Sequence, residues 1–435
     1  MMDAPVNDTP LLRDAAERAL SMLRKQGFDD AQAGAWITRQ DEINIAHNEP
    51  SLMRSTEALR LTLSGLVDGR LASTELSTFD DDTIATRVRT LFEDARTTPQ
   101  DAACAISRGQ RARIEQGPQE ADVGRLADAI AGLLRFRERE TPTMMIDESD
   151  GKHVLQRWHL LTTGDSELSG SLGWYSLNAM GTAREGSRSS SFNYTGGRTN
   201  ALDTAAPQAH FGIGEMLRET TRQVSTRALG DKFTGDVVFT PSAFADLVGW
   251  LLGQIADPAL IAGTSLYRER VGESIGSPLL GLKSRFDAPG IAAMSSDAFV
   301  ASPVTVLQAG VLRTLTPTLY GSRKTGLPHV PLAASGGWEV PAGETPRDEL
   351  IAGVGRGALV SRLSMGNPAS NGDFSSVVKN SFALQDGRIG DALSGTMIAG
   401  NIAQLLKSVV AVSRERIDTG GTLMPWVRVS GLHFS

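Results

Sequence analysis

A chain of 435 residues, 40% hydrophobic and 21% charged, can bury roughly three quarters of its unfolded surface and divide into two or three domains. Its formal net charge of −7 provides no whole-chain field that favours nucleic acid or an anionic bilayer. A single cysteine, Cys104, excludes an internal disulfide framework and any multi-thiolate metal site; a polar, acidic start at residues 1–8 and the lack of any apolar run of membrane length predict a cytoplasmic protein that does not span a membrane.

In chain order, Leu12, Ala15, Ala19 and Leu23 share one face over residues 10–26 and Gly27 follows as a stop, which predicts a helix. Residues 33–45 and 59–72 alternate apolar and polar, and Asp68 with Gly69 supplies a tight hairpin turn. Residues 80–82 are acidic where a helix dipole favours negative charge, and Ile84, Val88, Leu91 and Ala95 continue at helical spacing. Arg108, Arg111 and Arg113 then read as part of a solvated connector, because Glu115 and Glu120 are interleaved with them. A third helix is expected over 122–140, strands over 153–161, 171–180 and 189–194, and a helix over 208–229 that ends at Gly230. The domain boundary is set there: 1–230 as an N-terminal helix and sheet domain, 231–435 as a β-rich C-terminal domain with a central helix. The fold class is α+β.

In the second half, residues 235–240 read as a strand. Thr240 is a good N-cap, Pro241 suits the first helical position, and Phe244, Leu247, Val248, Leu251 and Leu252 form an apolar stripe. Further on, residues 375–384 alternate as one half-buried strand and Asp386 with Gly387 makes a hairpin turn. Gly400 and Asn401 then lead into Ile402, Leu405, Leu406, Val409 and Val410 at helical spacing.

The order of these features carries a resemblance. Gly355, Gly357 and Val360, then residues 371–375 (Asn371 to Ser375), 386–389 (Asp386 to Ile389) and 397–401 (Met397 to Asn401) before a helix, resemble the C-terminal domain of the TldD/TldE (PmbA) family of bacterial peptidase subunits. Residues 59–101 resemble its N-terminal domain, and the likeness runs from about residue 10 to 432. In the family's catalytic subunit a strand and helix carry His-Glu-x-x-x-His, two imidazoles for zinc and a glutamate to take a proton from the metal-bound water. The corresponding turns here, residues 245–254, hold no histidine. That subunit's zinc-binding cysteine near the chain end also has no counterpart in residues 417–425.

The resemblance therefore implies a TldE/PmbA-like, non-catalytic subunit with no cofactor of its own. Zinc is expected in a TldD-like paralogue that pairs with it, and the pair would degrade or trim unfolded peptides such as antitoxins or peptide-antibiotic precursors. Trp250, Asn371 and Asp373 are the residues expected to face partner or peptide, against a plainer reading as a core tryptophan and turn formers. An alternative is a homodimeric peptide-binding or scaffolding protein without a catalytic partner. The family's link to DNA gyrase suggests a third reading, which the acidic charge and the lack of a basic stripe oppose. Residues 320–338 depart from the family's usual loop, which leaves substrate identity open.

Three enzyme-like motifs are weaker. Residues 272–276 match Gly-x-Ser-x-Gly around Ser274, but that nucleophile elbow requires a helix immediately afterwards and the sequence stays extended. Gly353, Gly355 and Gly357 follow a helix-like segment instead of opening one, so a tight turn accounts for them better than a phosphate cradle. Of the six histidines, His153 and His159 fall on one face of a strand about 20 Å apart, too far to share a metal, and His210 and Glu215 fall on different helical faces.

Overall fold

A computed structural model describes residues 8–435; residues 1–7, most of the polar N-terminal stretch, lie outside it. The fold is α+β. In chain order the first half comprises α1 (Thr9–Gln26), β1 (Asp30–Ala46), β2 (Glu49–Val67), β3 (Arg70–Leu76), α2 (Asp81–Thr97), β4 (Arg111–Gln116), α3 (Val123–Glu140), β5 (Met144–Thr162), β6 (Glu167–Glu185), β7 (Arg188–Ser189), β8 (Asn193–Thr199), a 3-10 turn (Pro207–Gly212) and α4 (Ile213–Thr221). The second half comprises β9 (Thr226–Arg227), β10 (Phe233–Phe239), α5 (Pro241–Gln254), α6 (Asp257–Ala262), β11 (Leu282–Ser284), β12 (Thr305–Gln308), β13 (Val311–Leu312), α7 (Leu319–Thr325), β14 (Trp338–Glu339), α8 (Arg347–Ala352), β15 (Arg356–Val360), β16 (Arg362–Ser364), β17 (Asp373–Lys379), β18 (Phe382–Gln385), β19 (Arg388–Leu393), β20 (Met397–Asn401), α9 (Ile402–Lys407), β21 (Val409–Asp418) and β22 (Thr422–Phe434).

The first sheet runs β3-β2-β1-β5-β6-β4. Its central strands are long antiparallel neighbours, and the period-2 pattern decides which face each residue takes. Ala33, Ala35, Ile37, Leu61 and Leu63 share a face and pack under Leu12, Ala16, Leu23, Ile84 and Leu91 of α1 and α2. Asp80 caps α2 and Asp122 caps α3, each carboxylate accepting from the backbone N–H three residues on. The Asp68–Gly69 hairpin forms as expected, with φ of 50° and 70°. Arg111–Gln116, expected as connector, is instead an edge strand parallel to β6. Its two arginines and Arg108 just before it pair with acids, Arg108 with Asp30, Arg111 with Glu167 and Arg113 with Glu115, and the charges mask the strand's alternation.

The second sheet contains β10 at its centre, parallel to β15 and antiparallel to β22. Helix α5 lies against it, with Phe244, Leu247, Val248 and Leu251 buried in a core shared with Val237, Phe239, Val427 and Val429. Three segments differ from the sequence expectation. The helix over 208–229 forms only as Ile213–Thr221, because the chain before it is a 3-10 turn with Phe211 at φ 56° and Thr226 and Arg227 after it join the second sheet alongside Ala392 and Leu393. The strand over 375–384 breaks at Asn380, which sits at φ 52° and donates from its side chain to Gln223 Oε1 at 2.9 Å. Helix α9 stops at Lys407, and Val409 starts a strand paired with Val429. Apolar periodicity alone could not separate that buried strand from a helical turn.

The two halves meet along several contacts. Arg198 N–H donates to Thr419 O at 3.0 Å, Tyr320 donates to Asp101 at 2.9 Å with Lys324 2.8 Å away, and Arg222 lies 4.5 Å over the Phe382 ring.

Candidate functional site

Strands β10 and β15 run parallel with Phe239 opposite Val360, so both end at the same level. Thr240 and Ser361 therefore emerge side by side: Thr240 N–H donates to Val360 O at 3.0 Å and its hydroxyl reaches Ser361 O at 3.4 Å. Thr240 then caps α5 by accepting from Ala243 N–H, and Pro241 opens the helix, as its sequence predicts. The first half of the chain supplies the opposite wall through Tyr194 of β8 and Glu215, Met216 and Glu219 of α4, while Trp426 and Ile417 close the side. The result is a cleft of about 80 Å³ between the two halves, at the head of α5. It shares Phe211, Gly212, Glu215 and Ile417 with a wider cavity of about 650 Å³.

Charge in this cleft is unevenly matched. Arg347 pairs with Glu215 at 2.5 Å, stands 4.0 Å from Glu219 and lies 4.6 Å over the Trp426 ring. Burial, reinforced by the Glu215 charge, pushes the Glu219 carboxyl up to about 7 against the opposing pull of Arg347 and Arg222. A second arginine, Arg362, lies 4.2 Å over Phe192 and 5.8 Å over Tyr194, two rings that stack at 6.2 Å. Burial lowers its basicity, and among the described residues no carboxylate pairs with it. Ser361 Oγ, Trp426 Nε1 and Arg347 Nε are buried without a hydrogen-bond partner.

The residues present do not fit a hydrolytic zinc centre. No three His, Cys, Asp or Glu side chains among the described residues are placed to hold a metal ion. His210 interacts with Leu202 O at 3.3 Å, and Asp418 is held by Arg285 at 2.8 and 3.0 Å. His153 and His159 sit apart in β5, buried, the first 2.9 Å from Pro118 O and the second 3.3 Å from Glu167.

The structure brings Trp250, Asn371 and Asp373 together, at the far end of α5 from this cleft. Trp250 Nε1 donates to Ala369 O at 3.3 Å, and its ring packs against the turn at Gly372, where φ is 91°. Asn371 donates to Asp373 at 2.8 Å and Asn401 reaches both, donating to Asn371 O and Asp373 at 2.8 Å each. Those bonds from Asn401 and Asn371 hold the Asp373 carboxyl below the usual carboxylate range. Ser274, in the elbow-like motif, forms a bridge to Val311 with no helix behind it, and its hydroxyl donates to Gly276 O at 3.3 Å. The Gly353 to Gly357 stretch joins α8 to β15.

The sequence reading did not identify Glu219, Arg347, Ser361, Arg362 or Trp426. One signal was present: Glu215 and Glu219 are four apart on a helix, a like-charge spacing that a nearby cation relieves.

Two sheets covered by helices, with a cleft between the halves of the chain at the head of α5, make an α+β fold. Residues 233–435 match the family described as "PmbA/TldA metallopeptidase C-terminal domain". The C-terminal part of the chain is thus similar to TldD/TldE/PmbA proteins. It is 25% identical over 279 residues to Metalloprotease PmbA of Escherichia coli O157:H7, a match that spans 59% of this chain and 58% of that protein. Its fold is similar to TldE from Thermococcus kodakarensis, with a TM-score of 0.83 at 17% identity over 97% of this chain and 100% of that one. It is also similar to a proposed modulator of DNA gyrase from Bacteroides thetaiotaomicron, with a TM-score of 0.85 at 20% identity over 99% and 100%. Among the described residues no helix is long and apolar enough to cross a membrane.

Proposed function

We propose that this chain is the non-catalytic, TldE-like subunit of a cytoplasmic heterodimeric zinc metallopeptidase that acts on unfolded peptides. One observation carries the reading: the strand and helix that would present a metal-binding motif present Thr240, Pro241 and Ser242 at the cleft, and α5 contains no histidine. Zinc and its activated water then belong to a TldD-like partner. This subunit contributes an enclosing wall, and Trp250, Asn371 and Asp373, at the other end of α5, are the residues this reading assigns to contact with partner or peptide. An extended peptide can be held through main-chain bonds with little demand on its sequence.

The test is co-expression with a paralogue that carries His-Glu-x-x-x-His, followed by zinc analysis and peptide cleavage by each chain and by the pair. Zinc and chelator-sensitive cleavage are expected in the pair, and neither in this chain alone. Stoichiometric zinc with cleavage by this chain alone would overturn the proposal. A stable homodimer that binds peptide and ignores the paralogue would favour the scaffolding reading.

A further inference from the structure

We infer that the cleft at the head of α5 is a carboxylate-binding site; resting on the peptide reading above, the carboxylate is a peptide's C-terminal group or an acidic side chain. Four observations converge on it. Trp426 is 4% exposed and its Nε1, which can only donate, has no acceptor. A buried donor in that state costs free energy that a ligand acceptor would recover. Ser361 Oγ stands unpartnered at the same cleft.

Arg362 supplies the cation. It lies beside the stacked rings of Phe192 and Tyr194 with no acid next to it, so its charge remains available to a ligand that enters beside Tyr194. The head of α5, a helix of 14 residues, adds its positive end. Pro241 has no N–H and Thr240 takes that of Ala243, which leaves the N–H of Ser242 as the first-turn donor with no intrahelical acceptor.

The acids that line the cleft do not cancel this. Glu215 is neutralised by Arg347 at 2.5 Å. Glu219, with its carboxyl pushed up to about 7, retains a proton through much of the range below neutrality and can then donate to an incoming oxygen. An ammonium ligand would face the Arg362 cation and the Trp426 N–H, which can only donate. The cleft's 80 Å³ is roughly two to three water volumes, enough for a carboxylate and its adjoining carbon. The rest of a peptide would extend into the wider cavity that shares Glu215 and Ile417.

The experiment follows the indole N–H resonances of the full chain labelled at its six tryptophans, with Trp426→Phe to assign one of them. N-acetylglycine and N-acetylglycinamide are the probes. The acid is expected to move the Trp426 resonance and the amide to leave it in place. Arg362→Gln, with the other five resonances unchanged as a check on folding, should weaken the acid by about ten-fold or more, the loss of one charged hydrogen bond. Equal responses to acid and amide, or an unaltered affinity in Arg362→Gln, would overturn the site.

Three peptides then identify the source by competition against N-acetylglycine: one with a free C-terminus and no acidic residue, its C-terminal amide, and an amidated peptide with one internal glutamate. Competition by the first assigns the terminal carboxylate, and by the third the side chain. If N-acetylglycine binds and no peptide competes, the carboxylate site stands and the peptide reading falls. If peptides bind the chain but the Trp426 resonance ignores the acid, the peptide reading stands and this site falls.

Discussion

Replacing Glu219 by glutamine should alter how stability depends on pH. The side chain is 16% exposed, and its carboxyl is displaced from an ordinary 4.5 to about 7, first by burial and then by Glu215. The difference, 7 − 4.5, corresponds at about 1.4 kcal/mol per pH unit to at most about 3.5 kcal/mol, of which pH 5 to 8 spans up to about 3. A carboxyl raised in the folded state favours folding in its protonated form. That contribution is complete below 4.5, declines as pH rises through the interval up to about 7, and is absent above it. Glutamine does not titrate. Urea unfolding of both proteins, followed by circular dichroism at about pH 5 and about pH 8, should show Glu219→Gln gaining up to about 3 kcal/mol on the parent between those conditions. Parallel profiles would refute the reasoning, because they would mean that Arg347, 4.0 Å away, keeps the carboxylate ionised throughout.

Asp8 is 3% exposed and accepts from Arg39 at 2.8 and 2.9 Å and from Arg157 at 2.7 Å; Asp8→Ala should cost about 1.5–3 kcal/mol by removing the buried acceptor that both arginines share, Arg39 keeping its pair with Glu57, measured by denaturant unfolding. Asn401→Ala removes the cap of α9 and both bonds to the Asn371–Asp373 turn; it should cost about 1 kcal/mol and let the Asp373 carboxyl rise toward its ordinary value in an NMR titration. Gly357→Ala would drive a methyl group into the carbonyl oxygen of Asp236 on the adjoining strand. A loss of about 1–3 kcal/mol is expected from such overpacking, with movement of the Trp426 indole resonance because the same strand leads to Ser361.

Local chemistry made much of the fold legible. Helix α1 with its glycine stop, the capped α2 and α3, the Asp68–Gly69 and Asp386–Gly387 turns, and the Thr240–Pro241 opening of α5 each depend on residues within a few positions. What local chemistry could not supply was pairing at a distance. Val409 looks helical until Val429 lies beside it, and Thr226 does so until Ala392 does. The cleft was hidden for the same reason. Its Glu219, Arg347 and Arg362 come from three separate elements, and nothing near any one of them in the sequence points to the other two. Trp250, Asn371 and Asp373 were legible as turn and helix chemistry, and the structure gathers them into one hydrogen-bonded corner.

Arg362 belongs to the C-terminal half, and the two rings that grip it belong to the other. Its guanidinium therefore has two employers, the seam between the halves and whatever occupies the cleft. By reciprocity, any occupant that draws Arg362 off those rings must bind more weakly in proportion to the grip it breaks, and substitutions at Phe192 or Tyr194, which touch no reacting group, should tune occupancy and seam strength in opposite directions.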